Sequence, residues 1–263
     1  GKFVNIQCPI NRNGISFAAF ASFAVPDLVE SARHMIAGVH APIGIFGGTF
    51  DPIHFGHLRL AQEIAESVRL AEVRFMPAGT PPHRAAPQVS TQQRLDMVRL
   101  ATSGNPLFMV DDREVRRSGP GYTIDTLIEL RREAGASRPL CVLLGADAFL
   151  QLATWHRWHE LFSLAHLIIA HRPGFPPESW PQSMPQPLAR EYEMRLLHQP
   201  FAVHLSPAGG IATQAIAALE ISGSMIRDSL ARGVSPRYLL PDSVIEYIRS
   251  NNLYVTQEVN EAR

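Results

Sequence analysis

One stretch near the start of the chain decides the fold: Gly44-Ile45-Phe46-Gly47-Gly48-Thr49-Phe50-Asp51-Pro52-Ile53-His54-Phe55-Gly56-His57. An apolar run ends there in two glycines, and His57 then opens a segment with apolar residues at helical spacing. Glycines have no Cβ atom, so their backbone N–H groups can come close to a phosphate. The positive end of the following helix points to the same place. The order of these features predicts an anion site around Gly47, Gly48, Thr49 and Phe50.

The two histidines of this stretch are the candidate catalytic residues. His54 and His57 lie on either side of a glycine, so both can face the predicted anion site. Imidazoles beside a triphosphate can donate hydrogen bonds to the negative charge that builds on an α-phosphate during in-line attack. This chemistry requires no protein nucleophile. A histidine pair or a Gly-Gly turn alone is usually structural, and it is their order between strand and helix that favours function.

Short apolar runs alternate with amphipathic segments from Pro42 onwards, which is typical of βα units around a parallel sheet. The predicted strands are Ile43–Phe46, Val73–Pro77, Phe108–Val110, Leu140–Leu144 and His166–Ala170. The predicted helices are His57–Val68, Thr91–Ala101 (capped at Thr91), Thr123–Arg132, Ser222–Leu230 and Asp242–Ser250. We therefore predict an α/β fold, a Rossmann-like doubly wound parallel sheet with C-terminal helices, over residues 41–256. Such sheets bind ligands outside the carboxyl ends of their strands.

Two segments do not fit this alternation. Residues 1–40 show no clear hydrophobic period, and we predict an extension that is poorly ordered or accessory. Residues 173–190 are dense in proline, which argues against regular helix or central strand and predicts a surface loop or the edge of a lid.

The composition excludes several classes of protein. The hydrophobic content of 46% is ample for a buried core. The 24 Lys and Arg residues balance the 24 Asp and Glu residues, so nucleic acid is not an expected partner. Cys8 and Cys141 lie outside any CxxC motif, which is typical of a reducing compartment, and Cys141 is predicted to lie in the core. The sequence shows neither a run of about 20 apolar residues nor a secretory signal, so we predict a cytoplasmic location without a membrane span.

The run GxFDPxHxGH in the opening stretch resembles the signature of the HxGH nucleotidyltransferase superfamily. Residues 47–58, GGTFDPIHFGHL, are similar to the bacterial nicotinate-nucleotide adenylyltransferases. The resemblance extends from Gly44 to about Tyr247 and leaves out the first 40 residues. It implies a Rossmann-like sheet, Mg-ATP and nicotinate mononucleotide as substrates, and adenylyl transfer that yields deamido-NAD and pyrophosphate.

Residues 221–227, ISGSMIR, are similar to the ISSTxIR motif of that family. Ser222 is a predicted helix N-cap, while Ser224 and Arg227 can present a hydroxyl and a guanidinium to ATP phosphates. An ordinary capped helix with an exposed arginine is the alternative. Gly223 departs from the motif, and we expect the lost hydroxyl to weaken or reroute a phosphate contact.

Residues 81–84, PPHR, resemble the PPHK loop of the family, with Arg84 in place of lysine. The resemblance implies that Arg84 supplies a cation for the polyphosphate, with a fork of donors instead of a point charge. Without the resemblance, a solvated basic loop is the simpler interpretation.

No carboxylate or cysteine pair accompanies the histidines at metal-ligand spacing, so no protein-held metal is predicted. Magnesium would arrive with ATP, held mainly by phosphates and water.

Residues 119–127, GPGYTIDTL, look like the acceptor-side segment of the family, where the start of a helix meets the nicotinate carboxylate. Thr123 is a predicted N-cap there, and capping alone is the alternative. The resemblance implies that Asp147 and Trp155 flank the pyridine ring by hydrogen bonding and stacking, respectively. Trp158 is predicted to be a core residue. Arg172 follows a predicted strand and can either reach the substrate or form a salt bridge.

Alternative functions stay open at this point. The acceptor can be nicotinamide mononucleotide or another phosphate such as phosphopantetheine, and a pocket built for a carboxylate should reject the amide. A nucleotide-binding module without catalysis is a third hypothesis, motivated by Arg84 and Gly223. A dehydrogenase is disfavoured, because the first strand is not followed by GxGxxG. A homo-oligomer is compatible with the sequence, which does not determine the oligomeric state.

Overall fold

A computed structural model describes residues 41–79, 87–172, 174, 176–217 and 219–255. The predictions for residues 1–40 and for Arg84 lie outside these ranges. Six strands form one sheet: β1 (Ile43–Gly48), β2 (Glu72–Pro77), β3 (Phe108–Val110), β4 (Leu140–Gly145), β5 (His166–His171) and β6 (Ile211–Ala215). The strand order is β3-β2-β1-β4-β5-β6, and all neighbours are parallel. This order is that of the doubly wound Rossmann sheet, so the predicted fold class is confirmed.

Helices lie between and after the strands. They are α1 (Phe55–Val68), α2 (Thr91–Thr102), α3 (Arg113–Arg116), α4 (Thr123–Ala134), α5 (Ala146–Leu150), α6 (Leu161–Leu164), α7 (Gln186–Arg195), α8 (Gly223–Ala231) and α9 (Asp242–Ser250). Short 3-10 helices cover Leu152–Thr154, Trp158–Glu160, Pro177–Ser183 and Pro200–Leu205. Among the described residues, no helix is both long enough and apolar enough to cross a membrane.

Both faces of the middle of the sheet are covered, which is why the central strands β1, β4 and β5 are buried at consecutive positions. Along β4, Cys141 and Leu143 belong to one core cluster, while Val142 and Leu144 belong to the other. Full burial of such side chains contributes about 1.5–3 kcal/mol each to folding. Burial also raises the pKa of the Cys141 thiol well above its ordinary value, as expected for a core cysteine.

The predicted strands and helices are confirmed, with ends that differ by up to two residues. The predicted cap of α2 and the predicted start of α1 were wrong. Ser90, not Thr91, caps α2, because its Oγ accepts the Gln93 N–H at 3.2 Å. Helix α1 begins at Phe55 with His54 as its N-cap, and His57 lies in its first turn. Strand β6 was not predicted, since only Ile211 and Ala212 of its five residues are buried.

The prediction of loop for residues 173–190 was wrong in its second half. Helix α7 begins at Gln186 and carries Pro187 in its first turn, where a missing N–H breaks no helical hydrogen bond. The preceding 3-10 helix buries Trp180 completely, with its ring 5.9 Å from that of Phe149. The segment therefore covers one core cluster and is not merely a surface excursion.

Candidate active site

A cleft of about 1010 Å³ opens at the carboxyl ends of β1, β4 and β5. Gly47 and Gly48 at the end of β1 and Gly145 at the end of β4 line it. From β1 the sheet continues outwards to β3, and from β4 it continues in the other direction to β6. The cleft thus lies at the switch point of a doubly wound sheet, which is where such folds bind ligands. Most predicted site residues line it, namely Gly47, Gly48, Thr49, Phe50, His54, His57, Asp147, Trp155, Arg172, Ser222, Ser224 and Arg227.

Phe50 packs against His57 and supports its ring at the base of the cleft. Its φ of 49° turns the chain sharply after the two glycines, and the residue is only 2% exposed. The Phe50 ring packs edge-on against Phe46, with centroids 5.7 Å apart, and against His57, with centroids 5.1 Å apart. Although Phe50 lines the cleft, most of its side chain is therefore packed into the core.

The rings of His54 and His57 stack, with centroids 3.7 Å apart and planes inclined by 28°. The backbone N–H of His54 donates to His57 Nδ1 at 3.3 Å, so in the neutral His57 ring it is Nε2 that carries the proton. Burial lowers the pKa of His54 to about 4, and the positive charge of Arg172 adds to this effect. His54 is therefore a neutral imidazole at pH 7.

Gly56 allows this stacking. A Cβ at position 56 would lie 3.0 Å from His54 Nδ1 and 3.6 Å from the carbonyl oxygen of Ile221. The distance to His54 Nδ1 is shorter than an ordinary van der Waals contact, so a side chain here would push on the His54 ring. The glycine between the two histidines is thus required by packing, in addition to any approach of a ligand.

Helix α8 brings an arginine and two serines to the cleft. Ser222 caps the helix through its Oγ, which accepts the Met225 N–H at 3.2 Å, as predicted. Ser224 Oγ lies 3.1 Å from Ser222 Oγ. Arg227 Nη1 donates to the carbonyl oxygen of Asp51 at 2.6 Å, while its Nε is buried and has no hydrogen-bond partner within the described part of the chain. A buried donor without a partner is costly, which favours an anion beside Arg227.

Gly223, the departure from the family motif, lies against the turn that follows β1. A Cβ at this position would be 2.9 Å from the carbonyl oxygen of Asp51 and 3.3 Å from Arg227 Nη1. The small residue therefore lets α8 approach the Asp51 turn closely. It therefore has a role in helix packing, which the sequence did not reveal.

The structure brings three of the four predicted acceptor-side residues to the cleft. Asp147 and Arg172 are exposed in the cleft, and Trp155 is half-buried there. Thr123 does not line the cleft, and the prediction that it caps a helix was wrong. Tyr122 is the N-cap of α4, because its carbonyl oxygen accepts the first helical hydrogen bonds, and no side chain caps that end.

The start of α4 still lies near this wall of the cleft. The Tyr122 ring is 4.4 Å from the ring of His156, the residue next to Trp155. Trp158 is 7% exposed and packs in the core, as predicted.

Sequence reasoning missed two side chains that hold the site in place. Arg94 is fully buried, and it donates to the carbonyl oxygens of Thr49 at 2.7 Å and Gly79 at 2.9 Å. It thereby ties the loops that follow β1 and β2. Its position on the apolar face of α2, four residues before buried Val98, was the available signal. Asp51 lies in the opening motif, but nothing local indicated its partners.

No three His, Cys, Asp or Glu side chains lie close enough together to hold a metal ion among the described residues. Asp51 and Asp147 supply the carboxylates that line the cleft. Both oxygens of Asp51 are already engaged, by the Tyr254 hydroxyl at 2.6 Å and by the Gln88 N–H at 3.0 Å.

Comparison with known proteins connects this geometry to named relatives. The model of the cytidylyltransferase-like family matches residues 45–229. A protein of Dechloromonas aromatica with the name "probable nicotinate-nucleotide adenylyltransferase" is 54% identical over 213 residues, which cover 81% of this chain and 97% of that protein. A protein of the same name from Halorhodospira halophila is 50% identical, over 77% of this chain and 90% of its own length.

A solved structure supports the same fold. It is that of Plasmodium falciparum nicotinic acid mononucleotide adenylyltransferase complexed with NaAD, which is 20% identical to this chain. The superposition covers 82% of this chain and 98% of that protein, with a TM-score of 0.61.

Proposed function

Because the chain belongs to the nicotinate-nucleotide adenylyltransferase family, within the cytidylyltransferase-like proteins, we propose that it transfers the adenylyl group of ATP to nicotinate mononucleotide. The products are deamido-NAD and pyrophosphate. The observation that carries the proposal is the convergence of His54, His57 and Arg227 on one cleft at the switch point of the sheet.

The reaction proceeds by in-line displacement. An oxygen of the acceptor 5′-phosphate attacks the α-phosphorus of ATP, a new P–O bond forms, and the bond to the bridging oxygen breaks so that pyrophosphate leaves. The His57 Nε2–H donates to an α-phosphate oxygen as negative charge builds there. Neutral, buried His54 stacks on His57 and fixes the direction of that donor. Arg227 offsets the charge of the leaving pyrophosphate, so no protein nucleophile is needed.

The ATP phosphates lie over Gly47 and Gly48, against the first turns of α1 and α8. Ser222 and Ser224 add hydroxyl groups at the start of α8. Arg84, which lies outside the described residues, is proposed as a further cation for the polyphosphate. Magnesium enters as part of the Mg-ATP substrate, held mainly by phosphate oxygens and water. In the cleft, each carboxylate oxygen of Asp51 already accepts one hydrogen bond.

On the acceptor side, Trp155 stacks on the pyridine ring, and Asp147 and Arg172 provide polar contacts. The nicotinate carboxylate is received by backbone N–H groups at the start of α4, around Tyr122 and Thr123, where no side chain caps the helix. The role proposed for Thr123 is thus that of its backbone. We assign the nucleotidyltransferase domain to residues 41–256. We expect the enzyme to act in the cytoplasm. Light scattering would show whether it forms a homo-oligomer.

The deciding experiment offers nicotinate and nicotinamide mononucleotides together with Mg-ATP and separates the dinucleotide products, while pyrophosphate release is followed in parallel. We expect deamido-NAD to predominate, because a site that pairs with a carboxylate rejects the amide. His57→Ala should lower kcat by about 100- to 1000-fold without unfolding the chain. Predominance of NAD would refute the acceptor, whereas no pyrophosphate with either acceptor would refute adenylyl transfer itself.

A further inference from the structure

Asp51 connects segments that are far apart in the sequence. Its Oδ1 accepts the Tyr254 hydroxyl at 2.6 Å, and its Oδ2 accepts the backbone N–H of Gln88 at 3.0 Å. Its carbonyl oxygen accepts Arg227 Nη1 at 2.6 Å. The residue is therefore held by the C-terminal segment, by the residues after β2 and by helix α8 at the same time. Asp51 and Arg227 line the cleft, but Tyr254 does not.

The carboxylate of Asp51 also lies near the guanidinium of Arg227 but is too far away for a direct hydrogen bond. The shortest separation, between Arg227 Nη1 and Asp51 Oδ2, is 3.9 Å. A direct charge-assisted hydrogen bond would be about 2.7–2.9 Å long. Such a bond would neutralise Arg227, which in the proposed function must face phosphate. The two hydrogen bonds from Tyr254 and Gln88 hold the carboxylate at its present distance.

Tyr254 is well suited to this task. The residue is 8% exposed and the Asp51 side chain 9%, so the hydrogen bond between them is shielded from water. Burial and the neighbouring carboxylate raise the pKa of the Tyr254 hydroxyl above its ordinary value. The hydroxyl therefore stays protonated and remains a donor throughout the neutral and mildly alkaline range. Arg94 also faces this pair.

We propose that Tyr254 is a positioning residue for ATP binding: its hydroxyl occupies Asp51 Oδ1 and so keeps Asp51 from pairing directly with Arg227. When the hydroxyl is removed, the carboxylate turns towards Arg227 and competes with the ATP phosphates for the same donors. The inference rests on the proposed function only in taking ATP as the ligand of Arg227. It concerns binding, which can be measured without turnover.

The test is ATP binding by Tyr254→Phe, measured by calorimetric titration with Mg-ATP in the absence of acceptor. Loss of a hydrogen bond to a charged group should raise the ATP dissociation constant by about 5- to 20-fold. The matched control is Tyr247→Phe, because the Tyr247 hydroxyl donates to Asp96 Oδ2 at 3.0 Å and neither residue lines the cleft. Tyr247→Phe should change the melting temperature by a similar amount and leave the ATP dissociation constant within about twofold.

A second variant separates competition by Asp51 from a merely structural effect. Asp51→Asn in the Tyr254→Phe background removes the competing charge at nearly constant volume, so it should recover most of the lost ATP affinity. Further loss in the double variant would overturn the proposal, as would equal dissociation constants for Tyr254→Phe and the wild type. A wild-type protein that binds no Mg-ATP would instead refute the proposed function, and this inference with it.

Discussion

Lowering the pH from 7 to 5 is expected to reduce the free energy of unfolding by about 2 kcal/mol through His54 alone. In the unfolded chain this ring takes up a proton near its ordinary pKa of 6.5, whereas the folded chain holds its pKa at about 4. The unfolded state therefore binds more protons between these values, and stability falls as the pH falls through this range. At pH 5 the solution is about one and a half pH units below 6.5, and each unit lowers the free energy of unfolding by about 1.4 kcal/mol. The product is the expected decrease of about 2 kcal/mol.

The perturbation that isolates this contribution is His54→Asn. Asparagine does not titrate in this range, and it is a good residue at the N-cap of α1, the position that His54 occupies. Urea unfolding at pH 7 and pH 5 would measure the loss of stability in both proteins. We expect that loss to be about 2 kcal/mol smaller in His54→Asn than in the wild type. His198→Asn, which removes an exposed histidine, serves as the control and should keep the wild-type loss.

Equal losses in His54→Asn and the wild type would refute the reasoning. They would mean that the folded protein accepts a proton on His54 as readily as the unfolded chain does. The proposed chemistry, in which a neutral His54 orients the donor of His57, would then have to be replaced by one with a cationic pair.

Two further substitutions test the support of the site. Gly56→Ala should lower kcat at least tenfold while changing the melting temperature little, because the added Cβ would lie 3.0 Å from His54 Nδ1. Pyrophosphate release measures kcat, and an unchanged kcat would contradict this prediction. Arg94→Met should lower the free energy of unfolding by about 3 kcal/mol, measured by urea unfolding, since it leaves the carbonyl oxygens of Thr49 and Gly79 without their donor. A decrease below about 1 kcal/mol would show that water replaces the guanidinium.

The parts of the molecule that the sequence predicted are those encoded by neighbouring residues. The central strands β1, β4 and β5 are buried at four or more consecutive positions, because neighbouring elements cover them on both faces. Strand β6 lies at the edge of the sheet and ends in partly exposed residues, so its pattern is weak. The glycines and histidines of the opening stretch were likewise predictable, since strand, turn and helix follow one another directly.

The contacts that hold the site were not predictable, because they join distant residues. Tyr254 and Asp51 are 203 positions apart, and Arg94 is 45 positions from Thr49. No local pattern identifies such pairs. The charge of His54 was also left open by the sequence, since its pKa depends on burial and on the nearby Arg172, which only the fold determines.

Gly223 shows that a departure from a family motif can matter for packing as well as for chemistry. The lost hydroxyl suggested a weaker phosphate contact. In the structure, a side chain there would press on the carbonyl oxygen of Asp51, the same atom that accepts the hydrogen bond from Arg227 Nη1. Glycine therefore lets α8 lie close enough to Asp51 for this hydrogen bond to form at 2.6 Å. The substitution at position 223 is thus part of the arrangement that directs Arg227 into the cleft.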